Sequence, residues 1–73
     1  MNWAAEQRVR FIDVMLVVYG QVNRKALMEY FGIATACATS DLSTYKKLHP
    51  ENMVYDEHSR SYVKAPGFKR AYA

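Results

Sequence analysis

The chain has a single cysteine, Cys37, so no disulfide can form within it and a disulfide-held secreted scaffold is excluded. Long apolar runs are missing as well. The longest, Phe11 to Gly20, is broken by Asp13 and is about half the ~20 residues a membrane-spanning helix needs. The N-terminus carries Glu6, Arg8 and Arg10 and has no signal-peptide pattern. A cytoplasmic location with no membrane partner is therefore expected. Metal-ligand spacing is also lacking: Cys37 has no second cysteine, and His49 and His58 stand on different elements, so no zinc site is expected. With 73 residues the chain can fill one small core, leaving little room for a deep catalytic pocket. Glu51, Asp56, Glu57, His58 and Ser59 include nucleophile and base types, but they share an exposed polar stretch with no orienting third group. No enzymatic activity, cofactor or small-molecule ligand is expected.

What is present is globular in composition, 51% hydrophobic and 23% charged. The net charge of +3 is unevenly spread. Residues 1–42 balance Arg8, Arg10, Arg24 and Lys25 against Glu6, Asp13, Glu29 and Asp41, whereas residues 43–73 set Lys46, Lys47, Arg60, Lys64, Lys69 and Arg70 against Glu51, Asp56 and Glu57. The whole excess lies in the second part, which suits a nucleic-acid partner.

The periodicity predicts a first helix from about Asn2 to Tyr19, with Ala5, Val9, Ile12, Met15, Leu16 and Tyr19 on one core-facing arc. Gly20 ends it as a C-terminal cap residue. A second apolar arc, Trp3, Val14 and Val17 flanked by Phe11 and Val18, lies on the other side. Two readings of that arc stand: the C-terminal tail covers it through Phe68 and Tyr72, or a homodimer forms through the N-terminal helices.

Asn23 is a good N-cap for a second helix, Arg24 to Phe31, with Ala26, Leu27, Tyr30 and Phe31 as its apolar side. Gly32 ends it, and a short turn leads to a third helix over about Thr35–Lys47. Helix, glycine-containing tight turn, helix is the helix-turn-helix pattern. In the third helix Ala38, Leu42 and Tyr45 share the buried face. Asp41, at the edge of that face, is expected in a structural pairing. The opposite face, Ala36, Ser40, Ser43 and Lys47 flanked by Thr39 and Lys46, is small, hydroxylated or basic and has no acidic member. Read alone it is either a solvated face or a surface that approaches base edges while lysines reach phosphates.

His49-Pro50 closes the helix. Asn52–Asp56 and Arg60–Lys64 then read as two short strands around the polar loop Glu57-His58-Ser59, a hairpin in the position of a wing. The fold class is α+β: a winged helix-turn-helix of three helices and a two-stranded hairpin over residues 1–65, followed by a tail or linker stub at 66–73.

The run from Leu27 to Leu42, with Phe31-Gly32-Ile33 at its turn and Asp41-Leu42 at its end, resembles the DeoR-type winged helix. Tyr45-Lys46-Lys47-Leu48-His49-Pro50, then Asn52 to Asp56, then Tyr62, is more specific. Together with Gly20 to Arg24 it is similar to the N-terminal winged helix of the WYL-domain repressors of phage-defence operons, the BrxR/CapW group, over about residues 8–70. The resemblance implies an operator-binding repressor working as a dimer on double-stranded DNA. It places the start and outer face of the recognition helix at Thr35, Ala36, Cys37, Thr39 and Ser40, and the wing at Asp56 to Arg60.

Ala34 stands where that family usually has a capping serine, so Thr35 is expected to cap instead. The family's ligand-sensing WYL domain does not occur in these 73 residues, which suits either an excised domain or a small regulator.

The DNA-binding residues expected from all this are Arg24, Lys25, Thr35, Ala36, Cys37, Thr39, Ser40, Ser43, Lys46, Lys47, His58 and Arg60. Each has a blander alternative. Arg24 and Lys25 oppose the helix dipole, a small cost that phosphate binding would explain, with surface decoration as the alternative. Lys46 and Lys47 also simply suit a helix C-terminus. His58 and Arg60 either enter a minor groove or are solvated loop polarity. Cys37 is a redox switch if it faces DNA, or merely a small residue at a helix start. The alternative function for the whole chain is a protein-interaction winged helix, or a decoy that pairs with a full-length regulator.

Overall fold

The computed structural model describes residues 2–72. Helix α1 spans Trp3–Tyr19, strand β1 Gln21–Val22, helix α2 Arg24–Phe31, helix α3 Thr35–Leu48, strand β2 Met53–Asp56 and strand β3 Ser61–Lys64. This is an α+β winged helix-turn-helix, with one addition to the expected two-stranded wing. The link between α1 and α2 forms β1, and the sheet has the order β1-β3-β2, antiparallel throughout. Gln21 pairs with Val63 and Val22 with Tyr62, and the Lys64 amide donates to the Gly20 carbonyl at 2.8 Å. The wing is thereby tied to the end of α1.

Local chemistry sets the helix boundaries. Asn2 and Asn23 each accept a hydrogen bond from the amide three residues on, Ala5 at 2.9 Å and Ala26 at 3.0 Å. Gly20 and Gly32 close α1 and α2 in left-handed conformation, φ 74° and 65°, a region that disfavours residues with a Cβ. Their amides satisfy the carbonyls of Leu16 and Met28. Thr35 does not cap α3. The cap position is Ala34, which has no side-chain bond to offer, and the Thr35 hydroxyl turns to the Met28 sulfur at 3.5 Å.

The core is Val9, Ile12 and Leu16 of α1, Val22 of β1, Leu27 of α2, Ala38, Leu42 and Tyr45 of α3, and Met53 of β2. The three α3 positions are those its periodicity predicts. Tyr19 and Tyr30, expected to face inward, are exposed. Tyr19 sits beside the turn that sends the chain into β1. Tyr30 lies outside the core and stacks on Phe11 with centroids 4.7 Å apart.

Asp13 is fully buried on α1 and explains the path of the tail. Its carboxylate accepts from the Tyr45 hydroxyl at 2.5 Å and from the amides of Ala71 and Tyr72 at 3.1 and 3.3 Å. Buried Asn52 completes the clamp: its amide donates to Tyr45 Oη at 3.0 Å and to the Lys69 carbonyl at 2.8 Å, and its oxygen accepts from the Lys69 amide at 2.9 Å. Buried polar groups are tolerated only when bonded in this way. The tail therefore folds back, but onto Asp13, Asn52 and His49. It leaves Trp3, Val14, Val17 and Val18 exposed, so the reading in which it covers that arc is set aside.

Candidate nucleic-acid interface

Helix α3 is held from behind. Arg8 on α1 donates through Nε to Asp41 at 2.6 Å, and the pairing raises the arginine pKa, mainly through that hydrogen bond. Asp41 is thus a structural partner, as its place at the edge of the buried face suggests. Arg8–Asp41 and Asp13–Tyr45 grip α3 about one helical turn apart. With its inner face locked, α3 turns Thr35, Ala36, Thr39, Ser40, Ser43 and Lys47 to solvent. No acidic side chain stands among them. Cys37 is half-buried at the edge of this face.

The start of α3 carries no side-chain cap, and its exposed first turn leaves backbone amides free to donate outward. Such an end favours anionic partners by both hydrogen bonding and dipole.

The other expected contacts divide. Lys47 is exposed, whereas Lys46 bends back and donates to the carbonyls of Pro50, at 3.1 Å, and Met53. Its ammonium stitches the end of α3 to β2, a role that the sequence position does not reveal. Lys25 makes an exposed ion pair with Glu29 at 4.0 Å, worth little in water. Arg24 is exposed at the start of α2.

In the wing the turn runs from Glu57 through Arg60, one residue longer than the expected loop. Arg60 lies in the turn rather than at the start of a strand, with φ 55°. The Asp56 carboxylate organises that turn, accepting from the His58 amide at 3.2 Å and the Ser59 hydroxyl at 2.8 Å. These bonds lower the Asp56 pKa, the Ser59 contribution leading. His58 sits exposed at the tip.

Three residues were not placed in the site by the sequence reading. Asn23, Tyr55 and Tyr62 line a cleft with Arg24, Thr39, Leu42 and Arg60 between α2, α3 and the wing. Tyr55 and Tyr62 are cross-strand partners with ring centroids 5.1 Å apart. Their facing positions in the hairpin were the available signal. Among the described residues no group of three or more His, Cys, Asp or Glu side chains could hold a metal, and no helix is long and apolar enough to cross a membrane.

The BrxR transcriptional regulator winged helix-turn-helix domain matches residues 4–73, almost the whole chain. The chain belongs to this family. Curated relatives agree with that placement. A DNA-binding transcriptional repressor CapW of Escherichia coli (strain KTE188) is 44% identical over 71 residues, covering 97% of this chain and 24% of the relative. CapW of Stenotrophomonas maltophilia is 41% identical over 69 residues, covering 94% and 23%. CapW of Pseudomonas aeruginosa is 39% identical over 71 residues, covering 97% and 24%. This BrxR-type chain thus spans about a quarter of the length of the curated relatives it matches.

Proposed function

We propose that this chain is the reading head of a transcriptional repressor, binding double-stranded DNA with α3 in the major groove and the wing on flanking backbone. The observation that carries the reading is the exposed, acid-free face of α3, formed by Ala36, Thr39, Ser40, Ser43 and Lys47 on a helix locked from behind. The names of its relatives supply the repressor role. Small and hydroxylated side chains allow close approach but discriminate bases weakly beside an Arg–guanine fork. Base readout is therefore partial, and phosphate and shape contacts carry much of the affinity. The reading is non-enzymatic and cytoplasmic, and the family resemblance extends it to operons of phage defence.

Its partner in that task is a second copy. Trp3 and Val18 on α1 are 76% and 61% exposed, and Val18 helps line an open groove of about 750 Å³ with Phe11, Val14, Met15, Tyr19 and Tyr30, edged by the polar Gln21, Asn23 and Glu29. Phe11 itself is half-buried against Tyr30 and Phe31 and is less available to a partner than the exposed Val14 and Val18. A two-fold contact through α1 presents two α3 helices to adjacent half-sites. The same apolar face keeps a second function in view, pairing with a full-length relative rather than with DNA.

Fluorescence anisotropy on the DNA upstream of the chain's own gene, against a scrambled duplex at two salt concentrations, tests the first reading. Preference for the upstream duplex, a steep salt dependence and loss of binding in Ser40→Glu/Lys47→Glu are expected. Flat titrations on both duplexes at low salt would sink it. Sedimentation velocity of the wild type beside Val14→Glu/Val18→Glu tests the dimer, which fails if the wild type remains monomeric on DNA as well as off it.

A further inference from the structure

Arg24 and Arg60 are far apart in sequence and carry separate local costs. Arg24 stands in the first turn of α2, where a cation opposes the helix dipole. Arg60 holds a left-handed backbone, φ 55°, that favours glycine. Both nevertheless line the same cleft of about 290 Å³, with Thr39 of α3 and the Tyr55–Tyr62 pair as its walls. No acidic side chain lines it. Among the described residues the ion pairs are Arg8–Asp41, Arg10–Glu6 and Lys25–Glu29, so neither Arg24 nor Arg60 is paired with an acidic side chain there. The rim is anchored, since Asn23 caps α2 and its amide nitrogen reaches Ser61 Oγ at 3.4 Å. Two arginines lining one anchored cleft with no acidic side chain beside them make a surface suited to an anion.

We infer that Arg24 and Arg60 clamp one backbone phosphodiester between them, and that this shared phosphate fixes the register and depth at which α3 meets the bases. The inference deepens the DNA-binding reading above and rests on it. Its geometry gives the wing a specific task. Arg60 of the wing turn and Arg24 of α2 line one cleft, so that wing and helix-turn-helix grip a single point on the strand. Thr39, on the cleft wall and on the outer face of α3, links that point to the groove.

A shared phosphate has a signature that two separate contacts lack. Each phosphate neutralised contributes about 0.9 to the slope of log K against log salt. The experiment is anisotropy over a salt series on duplex DNA with wild type, Arg24→Ala, Arg60→Gly and the double variant. A phosphate that is held only when both arginines grip it predicts that each single variant lowers the slope by about 0.9, and that the double variant lowers it by about the same amount rather than twice as much. The fold-loss of the double variant then falls well short of the product of the single losses. A slope lowered by about two, with losses that multiply, overturns the clamp while leaving the DNA reader standing. Arg60→Gly relieves the left-handed strain, so its melting temperature stays at or above wild type and misfolding does not mimic the loss.

A second arm does not depend on DNA. Inorganic phosphate titrated into the wild type, followed by the arginine side-chain NMR signals, is expected to shift Arg24 and Arg60 together with one saturation curve, and to shift neither once the other is replaced. If no duplex binds but this joint shift is seen, the DNA reading falls and the anion clamp stands. Independent shifts, or none at either arginine, overturn the clamp.

Discussion

The hydroxyl of Tyr45, in the last turn of α3, donates to the buried carboxylate of Asp13 on α1 at 2.5 Å, and the same carboxylate receives the amides of Ala71 and Tyr72 from the tail. One side chain thus joins α3, α1 and the last described residues. Asn52 repeats the device from the other side, bonded to Tyr45 and to both polar groups of the Lys69 backbone.

Removing Asp13 strands the buried Tyr45 hydroxyl and two part-buried tail amides at once. Each unsatisfied group costs about 1–3 kcal/mol, so Asp13→Ala is expected to destabilise the fold by about 3 kcal/mol. That is a large fraction of the total for a domain of this size. Tyr45→Phe, which leaves the carboxylate its two tail amides, costs about 1–2 kcal/mol. Urea midpoints of the two variants check the order. An Asp13→Ala loss no larger than that of Tyr45→Phe contradicts the network described here.

Alkaline pH attacks the same contact. Burial, then the hydrogen bond to Asp13, raise the Tyr45 pKa well above its ordinary 10.0. Tyr72 is raised as well, by burial first and then by the charge of Asp13. A raised folded pKa means that the stabilisation is complete below the unfolded value and is lost as pH rises toward the folded one. Urea midpoints are therefore expected to hold up to pH 10 and to fall above it. Tyr45→Phe flattens that fall, and an unchanged slope in the variant would assign the alkaline loss to other groups.

The wing has the opposite dependence. The Ser59 hydroxyl and backbone amides hold the Asp56 pKa below its ordinary 3.8. The ordering they give is present above that value and fades as pH falls through the lower folded one. The His58 amide signal, followed by NMR in acid, is expected to move toward a random-coil position with an apparent pKa below 3.8. In Asp56→Asn the acid transition disappears from that signal.

Helix α3 starts without a side-chain cap because Ala34 occupies the position. Ala34→Ser supplies the missing acceptor for a first-turn amide and is expected to add about 1 kcal/mol. That corresponds to a rise of about 4–8 °C in melting temperature for a domain of this length. Differential scanning calorimetry checks it. A serine that leaves the melting temperature unchanged means that solvent already satisfies those amides.

Much of this architecture was legible beforehand because its signals are local. Asn23 and Gly32 bracket α2 through bonds that reach only three or four residues along the chain. Ala38, Leu42 and Tyr45 declared the inner face of α3 by helical spacing alone. The same arithmetic left Thr39, Ser40, Ser43 and Lys47 on the outer face. It went astray where two interactions competed for one side chain. Lys46 has the spacing of a phosphate contact but is held by the carbonyls of Pro50 and Met53. Asp13 was read as an interruption in an apolar stretch, although it is the centre of the buried polar network.

The sequence by itself determined where the helices start and stop, which face of α3 turns inward, and that a polar, acid-free face is left for a partner. Caps, periodicity and glycine conformations act within a few residues and need no fold to express them. Tertiary structure alone decided that Gln21–Val22 becomes a strand, that the tail docks on Asp13 and Asn52, and that Arg24 and Arg60 share one cleft. Each joins segments distant along the chain, and such pairings leave no periodic trace. Their hydrogen bonds and charges meet only after the hydrophobic core has folded the chain back on itself.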